Sequence, residues 1–370
     1  MINKPIIAFI LLYLYFMIPK VDLFLIPGTV TGIRIQDFIS LALFLILFDF
    51  RIHKYTLFVL IFMFIHLVYS ILAWGSITSI LGFLRLIEYY FVAKGIVYVI
   101  EKGHWKNFLN YVLFSIAIFA FGQYQSIFPN IDPGRGIIYS TQFSGPFGTP
   151  AELTYFLIAI LYLSYLVDRG NIAKLAASTL VLFNGVKAGI LGFVVLFAQR
   201  IRSISLSTII LFIIVSFGIM VILDDYVFLV LQFLQGISNG ALLLSQNQDI
   251  YINITELSGV TERSLVLRVE KWSIALAALY QNPLALMFGF GVYSYTFAMD
   301  GGIMKFLFEF GIISFAFLLY ILSKLSLSFI FIVMATSILF DSYTSSVIMP
   351  ILISTFLILR KNKNYINNEK

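Results

Sequence analysis

Long apolar runs separated by short polar stretches make up most of this chain. Clear examples are Thr56 to Ala73, Phe108 to Phe128, Ile204 to Leu223 and Ile303 to Leu322. Each is close to the roughly 20 apolar residues that a helix needs to cross a hydrocarbon core about 30 Å thick. A segment inside lipid must satisfy its own backbone hydrogen bonds, which favours helices here. The pattern therefore predicts an all-α polytopic membrane protein.

The composition supports this class. The chain is 61% hydrophobic and 11% charged, with a mean hydropathy of +0.99, far from the values of soluble globular proteins. It has no cysteine, which excludes a disulfide framework and thiol chemistry. The first apolar run follows Lys4 and ends at Pro19 without a small-residue cleavage site, so we expect a retained span rather than a signal peptide.

The cations predict the orientation, because Lys and Arg concentrate in cytoplasmic loops. The net charge of +6 is explained in this way rather than by nucleic-acid binding. Lys4 and six groups that flank spans are predicted to be cytoplasmic: Arg51/His53/Lys54, Lys102/Lys106, Arg169/Lys174, Arg200/Arg202, Lys324 and Arg360/Lys361/Lys363. External loops are predicted near Arg34, Trp74, Ser140, Lys187 and Asp341, and in the long stretch from Asp224 to Gly302.

One apolar run, Ile172 to Gln199, lies between two cytoplasmic groups and therefore cannot be a single crossing. We expect a hairpin of two short helices that turns near Lys187, where Gly185 and Gly189 permit a break. The chain then has about twelve membrane segments with both termini cytoplasmic. The predicted regions are an N-terminal transmembrane bundle (1–223) with the hairpin near 172–199, a large external loop (224–302), C-terminal transmembrane helices (303–360) and a cytoplasmic tail (361–370).

The external loop before residue 152 carries two candidate functional residues. Thr149 and Pro150 are typical of a helix start, which places Glu152 in the first turn. Glu152 is either a carboxylate favoured there by the helix dipole, or a base or sugar-hydroxyl acceptor at the membrane surface. Arg135 is either a lipid-headgroup anchor or a ligand for an anion.

The long external stretch contains a predicted helix that runs to Asn282 and stops at Pro283. At helical spacing Ser264, Arg268, Lys271 and Trp272 share one face, with Arg263 beside it. Such a face suits phosphate oxygens and a sugar ring, but it also suits a helix lying on anionic lipid.

Charged residues also occur inside predicted spans. Arg85 and Glu88 are three apart and can neutralise each other, and Lys305 and Glu309 are four apart and can form an intrahelical ion pair. Lys187 has no acid nearby in the sequence, and a bound phosphate would serve as its partner.

The order of these features resembles the O-antigen polymerase and ligase superfamily of bacterial membrane glycosyltransferases, over nearly the whole chain. The matching pieces are Gly32-Ile-Arg34-Ile-Gln-Asp37, Arg135, Gly145-Pro-Phe-Gly148-Thr-Pro-Ala-Glu152, the hairpin with Lys187, Arg263/Arg268 with Trp272, Asn282-Pro283, Gly289-Phe-Gly291, Asp300-Gly-Gly302 and Phe308-Glu309-Phe-Gly311. The resemblance implies a GT-C-like helical fold in the bacterial inner membrane and metal-independent, inverting transfer of a glycan from a polyprenyl diphosphate carrier on the periplasmic side. It implies no cofactor, and as partners lipid-linked oligosaccharides, membrane lipids and a chain-length-determining membrane protein.

Within that superfamily the ligase branch carries a histidine just before the span that follows its large loop, and Asp300 occupies the comparable place here. His53, His66 and His104 lie near predicted cytoplasmic ends or within a span, so the resemblance favours polymerase, with ligase and transporter as alternatives. The expected diphosphate ligands are Arg135, Lys187, Arg263 and Arg268. Asp300 and then Glu152 are the candidate acids that activate the acceptor hydroxyl, and Trp272, Tyr293 and Tyr295 are expected to stack on sugars.

Overall fold

The structure is a computed structural model of the chain. It describes residues 3–18, 22–25, 32–47, 54–75, 79–125, 127, 144, 146–147, 149–167, 174, 177–181, 272, 275–276, 278–291, 301–323, 327–337 and 345–368. Most of the predicted hairpin near 172–199, including Lys187, and most of the loop from 224 to 302 lie outside these residues.

The described residues are mostly helical, as the apolar runs predict. The helices are α1 (Lys4–Met17), α2 (Ile35–Leu47), α3 (Lys54–Trp74), α4 (Ser79–Glu101), α5 (Trp105–Tyr124), α6 (Pro150–Val167), α7 (Pro283–Phe288), α8 (Gly302–Ser323), α9 (Leu327–Ser337) and α10 (Ile348–Asn368). Residues 177–181 and 278–281 are also helical. The helical stretch 278–281 ends before Asn282, and α7 begins at Pro283, a first helical position whose backbone N–H would have no partner within the helix.

Three of the described helices are long and apolar enough to cross a membrane. These spans are Leu57–Trp74 in α3, Pro150–Val167 in α6 and Gly302–Leu322 in α8, and α1 and α2 are shorter apolar helices. The described part of the chain thus indicates a helical membrane protein, with three such spans among the described helices. α10 continues to Asn368, through most of the stretch predicted as a cytoplasmic tail.

The main core forms around α6, whose side chains are buried from Leu153 to Ser164. Aromatic rings join it to its neighbours: Phe16 of α1 lies 5.4 Å from Phe156 of α6, ring centre to ring centre. By contrast, α3 is peripheral and leaves large apolar side chains such as Phe64, Ile65 and Leu72 exposed. Exposed apolar side chains along a span are expected where the surrounding solvent is lipid.

A short antiparallel hairpin precedes α2 and was not predicted by the sequence. Strand β1 (Asp22–Leu25) pairs with β2 (Gly32–Arg34), with Asp22 opposite Arg34. Gln36, two residues past β2, donates from Nε2 to the carbonyl of Ile18 at 2.9 Å. The hairpin is thereby tied to the end of α1.

Candidate functional site

The loop that leads into α6 is fixed to the end of α5. Gln123 Nε2 donates to Ser144 Oγ at 3.0 Å, and the Ser144 N–H donates to Gln123 Oε1 at 3.2 Å. The Phe147 ring is buried and lies 4.7 Å from the ring of Phe156. This part of the motif that carries the family resemblance therefore packs into the core of the bundle.

The start of α6 is the one predicted from Thr149 and Pro150. α6 begins at Pro150, and the Glu152 N–H donates to Thr149 Oγ1 at 3.1 Å, which is an N-cap bond. Glu152 therefore lies in the first turn, as expected, where the partial positive charge of the helix end favours a carboxylate.

The Glu152 carboxylate is buried and is bound by a serine from the start of another helix. Glu152 is only 6% exposed, and its Oε1 accepts a 2.6 Å hydrogen bond from the Ser345 hydroxyl. Ser345 Oγ also accepts from the N–H of Ile348, the first residue of α10, at 3.3 Å. The carboxylate thus lies where the N-termini of α6 and α10 meet, and both favour negative charge at that point.

A second group of charged side chains lies between α1, α2 and α4. This charge cluster consists of Tyr15, Asp37, Arg85 and Glu88. Arg85 Nη1 donates to Glu88 Oε2 at 3.0 Å and also to Asp37 Oδ1, while its Nη2 donates to the Gly32 carbonyl at 2.7 Å. The sequence predicted the Arg85–Glu88 pair, which is confirmed, but not the participation of Asp37.

The charge cluster is largely removed from water. The side chains of Arg85, Glu88 and Asp37 are 9%, 7% and 27% exposed. Tyr15 donates from its hydroxyl to Glu88 Oε1 at 3.1 Å, and Asp37 Oδ2 accepts the Arg34 N–H at 2.8 Å. Buried charges of this kind persist only with charged partners and hydrogen bonds, so the cluster holds α1, α2, α4 and the hairpin in one arrangement.

A third feature joins the end of α7 to a break in α8. Gly311 has φ 75° and ψ 174°, which interrupts the helix. Just before it, the carbonyls of Phe308 and Glu309 accept the N–H groups of Phe290 (2.9 Å) and Gly291 (3.0 Å). We call the two segments, 287–291 and 308–311, the clasp. It brings together two motifs that are separate in the sequence, Gly289-Phe-Gly291 and Phe308-Glu309-Phe-Gly311.

Of the predicted site residues, Glu152 and Trp272 are described. Trp272 is half-buried and packs against the apolar cluster formed by Ala275, Leu279, Ala285 and Phe308. Its proposed contact with a sugar stays a prediction. The others lie outside the described residues: Arg135, Lys187, Arg263, Arg268, Tyr293, Tyr295 and Asp300.

Ser345 and His66 also form contacts at these sites, although no role was predicted for either. Ser345 carried a usable signal, since serine three residues before an apolar helical run is typical of a cap. His66 carried none, because its partner is a backbone carbonyl 222 positions away.

Among the described residues, no group of three or more His, Cys, Asp or Glu side chains is placed to hold a metal ion. Comparisons of the chain with protein-family models, curated proteins and solved structures find no match.

Proposed function

We propose that the protein is a membrane glycosyltransferase that polymerises polyprenyl-diphosphate-linked oligosaccharide repeat units into O-antigen or a related surface polysaccharide. The observation that carries the proposal is the buried Glu152 carboxylate at the meeting point of α6 and α10, within the motif that resembles the polymerase and ligase superfamily. A carboxylate so placed helps to form an anionic, hydrogen-bonding site beside the membrane surface, which suits the recognition of sugar hydroxyls.

The proposed architecture has about twelve membrane segments in a GT-C-like arrangement, with the long loop in the periplasm. Two contacts support its topology. Lys361 Nζ lies 2.7 Å from Glu101 Oε1. The cation pattern places both the end of α4, which carries Glu101, and the stretch around Lys361 at the cytoplasmic face. Glu152 and Ser345, which are in contact, belong to ends that the same pattern places outside.

In the proposed mechanism the donor enters from the outer leaflet, and Arg135, Lys187, Arg263 and Arg268 hold its diphosphate. Their positive charge stabilises the negative charge that grows on the leaving diphosphate as its bond to the anomeric carbon breaks. The acceptor is a terminal sugar hydroxyl of a second lipid-linked repeat unit, which attacks the anomeric carbon with inversion while a carboxylate takes its proton. Trp272, Tyr293 and Tyr295 stack on the sugar faces.

Asp300 is the first candidate for the residue that takes this proton. Glu152 is the second, because its carboxylate is almost covered and already binds the Ser345 hydroxyl. In this mechanism Glu152 shapes the acceptor side of the site, and Asp300 touches the reacting hydroxyl.

Two alternatives remain. In ligase-like transfer the glycan goes to a different acceptor, and in a transporter it crosses the membrane unchanged. The break in α8 at Gly311, next to the fully buried Glu309, favours the transporter among these, because interrupted helices form substrate and ion sites in many transporters.

The proposal is tested by expressing variants in a bacterium that lacks its own polymerase and supplies the matching repeat unit. Arg135→Ala and Arg268→Ala should reach the membrane in normal amounts yet abolish long-chain polymer. Lysine at either position should restore it partly, since lysine keeps the charge and loses the planar fork. Full polymer in both alanine variants would contradict the role of these arginines in binding the diphosphate. If the unaltered protein makes no polymer, the proposed polymerase function is wrong.

The topology is tested separately by cysteine labelling, for which the cysteine-free chain is well suited. Single cysteines at Ser245, Ser258 and Ser294 should react with a membrane-impermeant reagent from outside, and those at Ser203 and Asn364 only after the membrane is opened. Labelling of position 258 from the cytoplasm would overturn both the hairpin and the periplasmic site.

A further inference from the structure

The clasp replaces helical hydrogen bonds that the break in α8 removes. Gly311 turns the backbone away from the helix, and the carbonyls of Phe308 and Glu309 then accept from the loop after α7. Irregular backbone within a span requires such partners, because hydrocarbon offers an unsatisfied backbone group no hydrogen bond. The loop after α7 therefore stabilises the interrupted span.

The two segments of the clasp lie closer together than any residue with a Cβ would allow. A Cβ on Gly289 would lie 2.2 Å from the Glu309 carbonyl oxygen, and one on Gly311 would lie 2.3 Å from that of Met287. A Cβ on Gly291 would lie 2.6 Å from Ser70 of α3 and from Ser79 of α4. The clasp is thus packed backbone to backbone and seated on α3 and α4.

His66 of α3 contacts both segments. Its Nε2 lies 2.8 Å from the carbonyl oxygen of Phe288, and since a carbonyl can only accept, this nitrogen carries the proton. Its ring lies 4.8 Å from the ring of Phe310 on the other segment, at 34°. Both rings line a cavity of about 10 Å³, room for about one water molecule.

We propose that His66 is a positioning residue, which fixes the clasp and with it Gly291, where the segment between Gly291 and Gly301 begins. The Gly291 N–H is held by the Glu309 carbonyl in the clasp, and Gly301 directly precedes α8, where its carbonyl accepts the Lys305 N–H. The consequence for glycan transfer rests on the proposed function, because this segment contains Tyr293, Tyr295 and Asp300. The structural part does not depend on it.

The test compares His66→Leu, which removes the donor, with His66→Gln, which keeps an N–H that can reach a carbonyl. Hydrogen exchange is measured by mass spectrometry on peptides that contain Phe290 and Gly291, in protein reconstituted in lipid nanodiscs. His66→Leu should speed exchange there by roughly three- to tenfold, the factor expected from the loss of one hydrogen bond. His66→Gln and Ile65→Ala, a neighbouring change at an exposed position of α3, should leave it unchanged.

Glycan elongation is then measured on the same samples. His66→Leu should lower kcat and leave the KM for the donor nearly unchanged, and His66→Gln should restore kcat. Unchanged exchange in His66→Leu overturns the positioning role, and so does faster exchange with unchanged elongation. If His66→Leu exchanges faster but the unaltered protein shows no elongation, the structural role of His66 is supported and the proposed function is overturned instead.

Discussion

The Ser345 hydroxyl donates a 2.6 Å hydrogen bond to Glu152 Oε1 and so joins the first turns of two helices separated by 193 positions in the chain. Each of the two residues also takes part in the start of its own helix, Glu152 through the Thr149 cap and Ser345 through the Ile348 N–H. This side-chain contact therefore links the start of α6 to the start of α10.

Ser345→Ala should lower the free energy of unfolding by about 1.5–3 kcal/mol, the usual value of a hydrogen bond to a charged group. The matched control is Ser164→Ala in α6, which is equally buried but donates to the backbone carbonyl of Ile160 at 2.7 Å. That neutral bond should contribute only about 0.5–1.5 kcal/mol. Thermal unfolding in nanodiscs measures both, and equal losses would contradict the special role of Ser345.

Arg85→Leu should be among the most damaging changes in the described part of the chain. It leaves Asp37 and Glu88 without their shared cation, and the removal of one partner from a buried ion pair costs about 3–5 kcal/mol. Arg85→Lys should be intermediate, since an ammonium cannot reproduce the fork that serves Asp37, Glu88 and Gly32. The yield of folded protein and its melting temperature measure this effect.

The control for Arg85 is Lys361→Ala, which breaks the pair with Glu101. Those side chains are 50% and 45% exposed, so its loss should cost less than about 1 kcal/mol. Comparable destabilisation by Arg85→Leu and Lys361→Ala would show that the charge cluster does not hold α1, α2 and α4 together.

The glycines of the clasp should tolerate alanine far less well than a glycine that needs only its positive φ. Gly75→Ala, with φ +63° and nothing within 4 Å of the added Cβ, should cost about 1–2 kcal/mol from the backbone alone. In Gly289→Ala and Gly311→Ala the added Cβ also collides with backbone atoms. Unfolding measurements should therefore show a further loss of about 1–3 kcal/mol in the free energy of unfolding, the usual cost of overpacking. Equal losses at all three positions would mean that the clasp opens to admit a side chain.

The sequence predicts local structure well wherever a local signal exists. The apolar runs give α3 and α8 almost residue for residue, and Thr149 with Pro150 gives the start of α6. Arg85 and Glu88 are three apart on one helix, so their pairing follows from helical geometry. These features depend on residues within a turn or two of each other.

Contacts between distant segments were missed for the same reason. Asp37 joins Arg85 across 48 positions, and no periodicity indicates which loop will meet which span. Gly311 lies in an apolar run and reads as an ordinary position in a helix, because the loop that satisfies the break comes from 287–291. The β1–β2 hairpin is missed because its strands are shorter than any pattern of alternation can show.

We propose that the protein lengthens glycans on a lipid carrier. The most direct measurement is mass spectrometry of carrier-linked glycans after purified protein in nanodiscs has been incubated with polyprenyl-diphosphate-linked repeat units isolated from its host. The unaltered protein should give a series of products that differ by whole repeat units. Asp300→Asn, whose side chain caps a helix as well as aspartate but accepts no proton, should still bind the donor and give the series slowly. Carrier that holds only the single repeat unit after prolonged incubation with folded, unaltered protein would contradict the claim.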